Sequence, residues 1–307
     1  MVTIVDFHTH STASDGSLSP QALMLAALDE NVEMMSLTDH DTVDGFLALR
    51  EAAAASVGRQ PQKGDIQLQA GIEFSSVWRG RGIHVVGLNV DVDNEIFKQG
   101  VAQMQNLRQA RAEAIAAKLA KAGITNILPA VMELSAGKPP CRPHFAQVLV
   151  NWGVVSSFNQ AFTKYLGAGK LGNVASQWPE LDEVIGWINA GGGVAVLAHP
   201  EAYELTRTKL GELVDDFIDA GGLAIELAGV NASVKAIGMV QAVCLKKELP
   251  VSVGSDFHSP KHGWRRLGKR QSIPKGIMPI WKHAKFIASI DASITLSREI
   301  LVNKGMK

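Results

Sequence analysis

Cysteine is nearly absent from this chain. Its 307 residues include two, Cys141 and Cys244, in no CxxC pair. That excludes a disulfide framework and suits free thiols in a reducing compartment. Neither sign of charge predominates, since 30 Lys plus Arg balance 30 Asp plus Glu. A chain that binds polyanions by bulk electrostatics is usually basic, so any polyanion preference here has to be local. No apolar run approaches the ~18 residues of a membrane span. Asp6, His8 and His10 interrupt the apolar stretch that a secretory signal needs. These absences predict a soluble, cytoplasmic chain with no membrane association and no obligate protein partner. Heptads, repeats and low-complexity runs are also missing.

What is present is histidine in four short acid-rich motifs. They are Asp6-Phe7-His8-Thr9-His10, Thr38-Asp39-His40-Asp41, Leu197-Ala198-His199-Pro200 and Gly254-Ser255-Asp256-Phe257-His258, and they hold five of the nine histidines. A sixth, His84, follows soon after Glu73. Each motif falls where a predicted strand ends. A strand projects residues i and i+2 to one face. His8 and His10 therefore point together, as do Asp256 and His258.

Short β-branched runs at 3–7, 34–37, 67–72, 83–90, 194–198, 223–227 and 251–254 predict strands. Helical patterns at 20–31, 42–56, 180–190 and 209–220 separate several of them. Strand and helix in alternation predict an α/β fold with parallel strands and outer helices. The Glu73 and His84 strands lie too close for a helical crossover, so that pair reads as a hairpin. From about 95 to 174 no convincing strand appears. A long helix at 95–122 and shorter ones at 127–136, 144–152 and 158–166 predict a helical insertion into a body of 1–94 and 175–307.

In a closed α/β barrel the strand ends converge on one face. Nine candidate ligands would then meet: His8, His10, Asp15, His40, Glu73, His84, His199, Asp256 and His258. A lone buried histidine is more often an ordinary core residue, but six at strand ends are not explained that way. Nine donors exceed the needs of one ion, and three divalent ions are a natural count. Nitrogen and oxygen without thiolate suit manganese, zinc or iron better than calcium. Three such ions against three carboxylates leave the site positive, which attracts a phosphate dianion. Asp39 and Asp41, flanking His40, read equally as partners that fix imidazole tautomers or as N-caps of the following helix.

At these residues the sequence resembles the PHP (polymerase and histidinol phosphatase) superfamily. The run from Asp6 to Gly16 carries the resemblance most specifically. Gly71-Ile72-Glu73-Phe74-Ser75, Ala198-His199-Pro200 and Ser255-Asp256-Phe257-His258 agree in order and spacing. Within the superfamily it is most similar to the stand-alone RNase AM group of 3′,5′-nucleoside bisphosphate phosphatases. That group has an inserted helical piece with an Arg-Pro-His-Phe motif, here Arg142 to Phe145. The resemblance implies a distorted (β/α)7 barrel with a small inserted helical domain that caps the substrate, and a trinuclear, usually manganese, centre. One ion would take His8, His10, Glu73 and Asp256. A second would take Glu73, His84 and His199. The third would take Asp15, His40 and His258. The implied activities are removal of the 3′-phosphate from nucleoside 3′,5′-bisphosphates such as pAp, and 5′→3′ trimming of short 5′-phosphorylated RNA and of ribosomal RNA 5′ ends. Phe7 stands where Leu is more usual, and the segment 171–178 departs from the group's pattern.

The expected chemistry is in-line attack by a metal-bound hydroxide held by Glu73, His199 and Asp256. Substrate phosphate would be gripped by Arg142 in its proline-stiffened turn, by His144, and by Arg265 at the mouth. His262 reads as surface, and core packing suits Trp152 and Trp178 better than base stacking. Two other functions compete. A histidinol-phosphatase-like enzyme would share the metals, although the insertion argues against it. A non-catalytic metal- or RNA-binding module would have lost ligands, and none is missing.

Overall fold

The computed structural model describes residues 4–54, 62–175, 177–227, 233–261, 263, 265–269, 272–289 and 293–303. Residues 3, 55, 56 and 262, which belong to the expected first strand, second helix and surface histidines, lie outside them. The chain divides into two compact units, Met1–Gly100 with Pro179–Lys307, and Val101–Trp178.

The first unit holds a sheet ordered as in the sequence: β1 (Val5–Asp6), β2 (Met34–Leu37), β3 (Ile66–Trp78), β4 (Arg81–Leu88), β5 (Val194–Leu197), β6 (Ala224–Leu227) and β7 (Val251–Val253). Beyond β7 the chain returns to β1. Phe7 N donates to Val253 O at 3.1 Å, Asp256 N to His8 O at 2.8 Å, and Thr9 and Phe257 form a parallel bridge. The seven strands thus close into a distorted (β/α) barrel. Strands β5 to β7 are buried on both faces, as parallel strands covered by helices must be.

Two departures from the regular barrel place the site. β3 and β4 form an antiparallel hairpin, and β4 also runs antiparallel to β5. The reversal brings the start of β4, with His84, to the face where the other strands end. β3 is also longer than the alternation predicts. Its first residues pair with an eighth strand, β8 (Ile294–Leu296), and its later ones with β4.

The outer helices follow elementary rules. α1 (Pro20–Asp29) starts with proline at its first position, and the Ser19 hydroxyl accepts from Ala22 N at 3.2 Å. α2 spans Asp44–Ala54. After the long α3 (Glu95–Ala120) and the shorter α4 (Ile127–Leu134), α5 (Arg142–Asn151) and α6 (Phe158–Ala161) come α7 (Leu181–Ala190) and α8 (Arg207–Asp219). α7 buries Leu181, Val184, Ile185 and Ile188, and α8 buries Leu210, Leu213, Val214 and Phe217. Both stripes recur every three to four residues, as one helix face must. Each fully buried Leu or Phe contributes roughly 1.5–3 kcal/mol. α9 (Val234–Lys247), an unexpected helix, begins at Ser233, whose hydroxyl accepts from Ala236 N.

The second unit is helical, with its own core of Ile115, Leu119, Ile127, Val131, Phe145 and Leu149 among others. α5 starts two residues before the expected 144, because Pro143 fits the first turn and His144 Nδ1 accepts from Cys141 N at 2.9 Å. The expected helix 158–166 is α6 followed by one wide turn at Phe162–Leu166. Trp152 is exposed rather than core-packed. Trp178 lies under the guanidinium groups of Arg108 and Arg111. Among the described residues no helix is long and apolar enough to cross a membrane.

Candidate metal centre

Four loops and the β3–β4 hairpin bring nine side chains to one mouth of the barrel. His8 and His10 leave the end of β1, His40 follows β2, His199 follows β5, and Asp256 and His258 follow β7. Glu73 sits midway along β3, yet it lies level with these ends. β2 stops early, and His40 bridges Glu73 beyond it.

Glu73 is the hub. Its Oε1 lies 2.8 Å from His84 Nδ1 and 2.9 Å from His199 Nε2. Its Oε2 lies 2.9 Å from His40 Nδ1 and 3.2 Å from both His8 Nε2 and His10 Nε2. Asp256 Oδ1 lies 3.2 Å from His10 Nε2, 3.4 Å from His258 Nδ1 and 3.6 Å from His8 Nε2. Asp15 Oδ1 lies 3.4 Å from His258 Nε2 and 3.9 Å from His40 Nε2.

The donors fall into four overlapping groups, each with one atom per residue within 4.8 Å of the others: His10, Asp15, His40 and His258; His8, His10 and Asp256; His8, Glu73 and His199; His40, Glu73 and His84. All nine sequence-predicted residues occur in them. In one detail the grouping differs from the expected sets, since His199 sides with His8 and His84 with His40, while Glu73 belongs to both.

These donors fit divalent ions. His8 Nε2, His10 Nε2, His40 Nδ1 and Glu73 Oε2 are buried and make no hydrogen bond, although nitrogen and oxygen lie close together. Their lone pairs converge rather than pair. Ligands bound at about 2.0–2.2 Å to one ion stand roughly 3 Å apart, the spacing found here.

Burial disfavours charge throughout the cluster, and the neighbours decide the outcome. Burial opposes ionisation of Glu73, yet His40, His8 and His84 hold its carboxyl well below the usual range. Asp15 and Asp256 are held low in the same way, by His40 and His258 and by His8 and His10 respectively. Burial would lower the His10 imidazole, but Asp256 and Glu73 beside it raise it to about 9. The three carboxylates are thus kept in the anionic form that binds cations.

Arg265 lies against Asp256, reaching its carboxylate and, at 2.8 Å, its carbonyl oxygen. Arg142 and His144 belong to the second unit. Burial and then the neighbouring Arg108 both work against the charge on Arg142, and Cys141 favours it.

Of the two roles open to Asp39 and Asp41, the structure gives Asp39 neither. Asp39 does not cap the next helix, which starts at Asp44 with Thr42 Oγ1 accepting from Asp44 N. Asp39 instead accepts from Ser11 N, Ser11 Oγ and Ser14 Oγ, each at 2.7 Å. It thereby fixes the loop that carries Asp15. Asp41 Oδ1 accepts from Ser75 N at 2.6 Å. Asp39→Ala strands three buried donors and is expected to cost about 3 kcal/mol. Thermal denaturation should show the midpoint falling by roughly 6 °C, whereas an unchanged midpoint would remove Asp39 as the loop's anchor.

Two contributors escaped the sequence reading. Glu226 is buried in β6 against His8. Tyr203 donates to Ala198 O and accepts from His84 N, both at 2.8 Å, so it ties two ligand-bearing strands together. An acid inside the apolar run Ile225-Glu226-Leu227 was the available signal for the first.

No family model matches the chain. It is 39% identical to a 5′-3′ exoribonuclease of Haemophilus influenzae over 277 residues, 90% of this chain and 97% of that one. It is 36% identical to a 3′,5′-nucleoside bisphosphate phosphatase of Chromobacterium violaceum over 279 residues, 91% of this chain and 95% of that one. Among solved structures, an amidohydrolase of Chromobacterium violaceum with bound sulfate and no metal superposes with a TM-score of 0.82 at 33% identity, covering 96% of this chain and 98% of that one. Barrel, site and relatives together define a phosphoester hydrolase. Within that class, the chain belongs to the family of bacterial 5′-3′ exoribonucleases and 3′,5′-nucleoside bisphosphate phosphatases.

Proposed function

We propose that this chain is a divalent-metal phosphoesterase that removes the 3′-phosphate from nucleoside 3′,5′-bisphosphates and trims short 5′-phosphorylated RNA from its 5′ end. The observation that carries the reading is the convergence of six imidazoles and three carboxylates on one barrel mouth. Relatives at 36–39% identity carry the two corresponding activities in their names. The amidohydrolase description of the solved neighbour names another bond, but its sulfate has the shape and charge of phosphate.

Three ions, manganese by preference, would be held by His8, His10, Asp15, His40, Glu73, His84, His199, Asp256 and His258. When bound, such ions supply Lewis acidity and hydroxide at neutral pH. The chain's own part is to fix the donors. Glu73 presents its two oxygens to different imidazoles, and Arg265 holds Asp256 in place. Arg142 and His144 are the second unit's phosphate-binding candidates, and 95–174 is read as the substrate-capping insertion.

The decisive assay loads the protein with Mn2+ and follows phosphate release from pAp and from histidinol phosphate, and shortening of a 5′-phosphorylated RNA, with metal content measured on the same sample. Release from pAp and stepwise shortening are expected. Turnover of histidinol phosphate alone would replace this reading, and tight pAp binding without turnover would turn it into a binding module.

A cavity of about 1060 Å3 opens over the cluster, with His84, His199 and Asp256 on its lining, and is walled further out by Pro200, Leu205, Arg207, Lys235 and Met239. It reaches the upper end of ordinary small-molecule sites, roughly 300–1,000 Å3. Its apolar wall suits a base and its cations Arg207 and Lys235, with Arg265 by the cluster, suit phosphates, while Glu201 and Glu204 on the same lining limit the negative charge it accepts. Arg207→Ala combined with Lys235→Ala should raise KM for a short RNA about tenfold and flatten its salt dependence, with KM for pAp changed less than about threefold. Equal changes for both substrates would place the two cations elsewhere.

A further inference from the structure

One residue outside the nine donors stands out. Glu226 is 2% exposed in a strand whose other residues are apolar. Both its oxygens lie against His8 Nδ1, at 2.9 and 3.0 Å. Its Oε2 also accepts from the backbone N–H of His199 at 2.8 Å. No lysine or arginine pairs with it among the described residues.

We propose that Glu226 is a positioning residue that fixes the tautomer of His8 and the placement of His199, so that both present the correct atoms to a metal ion. The inference rests on the metal-site part of the proposed function and not on the substrate. A carboxylate facing an imidazole nitrogen accepts its proton. The His8 proton therefore sits on Nδ1, and the Nε2 lone pair is free. Nε2 is the atom without a hydrogen bond, and it faces Glu73 and Asp256. Glu226 is not itself a ligand: it belongs to none of the four donor groups, and it lies on the far side of the His8 ring from them.

The second bond matters as much. His199 has φ of 29°, in the left-handed region that non-glycine residues rarely occupy. The bond from His199 N to Glu226 restrains that backbone. One carboxylate thus couples ligands from two strands. Gly254 completes the arrangement, because a Cβ there would lie 2.8 Å from Glu226 Oε1 and 2.3 Å from His8 Cβ. The space beside the pair is reserved for these two side chains.

The test uses the full chain loaded with Zn2+, which is diamagnetic. Imidazole 15N spectra of the unmodified protein, with the His8 signal assigned by its loss in His8→Asn, should show protonated Nδ1 and coordinated Nε2. Glu226→Ala should weaken Zn2+ binding 10–100-fold in chelator competition. Glu226→Gln should recover part of the loss, because one amide oxygen can accept from His8 or from His199 but lacks the second acceptor. Coordination of His8 through Nδ1 would overturn the proposal. So would a Glu226→Ala protein with Zn2+ affinity within twofold of the parent and an unaltered His8 spectrum. If Glu226→Ala does not fold, the spectrum of the unmodified protein decides. Phosphate release plays no part in the readout, so failure of the phosphoesterase reading on every substrate leaves this result standing.

Discussion

Glu73→Gln is expected to lower pAp turnover at least about 1000-fold and to strip the protein of most of its metal. The change keeps the shape of the side chain and removes only its charge and one acceptor. Five imidazoles from four different strands and loops face the Glu73 carboxylate within 3.2 Å. An anion satisfies this ring because each oxygen offers two lone pairs. An amide replaces one oxygen with an NH2 group whose protons point at nitrogens that already converge. Bridging by both ends of the side chain then becomes impossible. Metal analysis of the purified variant, alongside phosphate release at saturating Mn2+, checks the expectation. Retention of full metal content with more than a tenth of the activity would remove Glu73 from the centre of the site. Restored activity at high Mn2+ would show instead that the residue sets affinity alone.

Glu73 was legible as an acid at the end of the predicted strand 67–72, within a motif that resembles the superfamily's. Its short spacing to His84 read as a hairpin, and in the structure that hairpin reverses β4. The strand-end histidines were legible for a similar reason, since a period of two puts His8 with His10 and Asp256 with His258. Other parts of the site were not legible because their meaning depends on distant partners. Asp39 read equally as a partner for a nearby imidazole or as a helix cap, but its oxygens accept from Ser11 and Ser14, 28 and 25 residues earlier. Glu226 meets His8 across 218 positions. Nothing near it in sequence distinguishes it from a surface acid except the apolar strand around it. The left-handed backbones of His199 and Asp256 (φ 29° and 51°) leave no mark either, because local preference argues against them at non-glycine residues. The length of β3 was hidden too. The run 67–72 read as a short strand, whereas β3 reaches from Ile66 to Trp78 and β8 returns from the far end of the chain to pair with its first residues.

Gly254→Ala is expected to cost about 100-fold in pAp turnover, although it adds a single methyl group and removes no ligand. The added Cβ would lie 2.3 Å from His8 Cβ and 2.8 Å from His8 N, far inside van der Waals contact. Neither neighbour is the free end of a flexible side chain. His8 N belongs to the backbone of the closing strand, and β7 is stitched to it by Phe7 N to Val253 O and Asp256 N to His8 O. Relief therefore requires β1 and β7 to part by about 1 Å, and that movement carries His8 and Asp256 away from each other. A displacement of this size at a reacting centre costs on the order of 100-fold, and overpacking adds roughly 1–3 kcal/mol of destabilisation. Gly211→Ala provides the contrast. Gly211 lies within α8 with nothing within 4 Å of the new Cβ. There the same methyl group should raise the melting temperature slightly, because alanine is favoured over glycine in a helix by up to about 1 kcal/mol, and leave turnover unchanged. Opposite signs for the two variants in melting and kinetic assays would locate the penalty at the closure of the barrel. A Gly254→Ala protein with parental turnover would mean that the β1–β7 seam yields without disturbing the cluster.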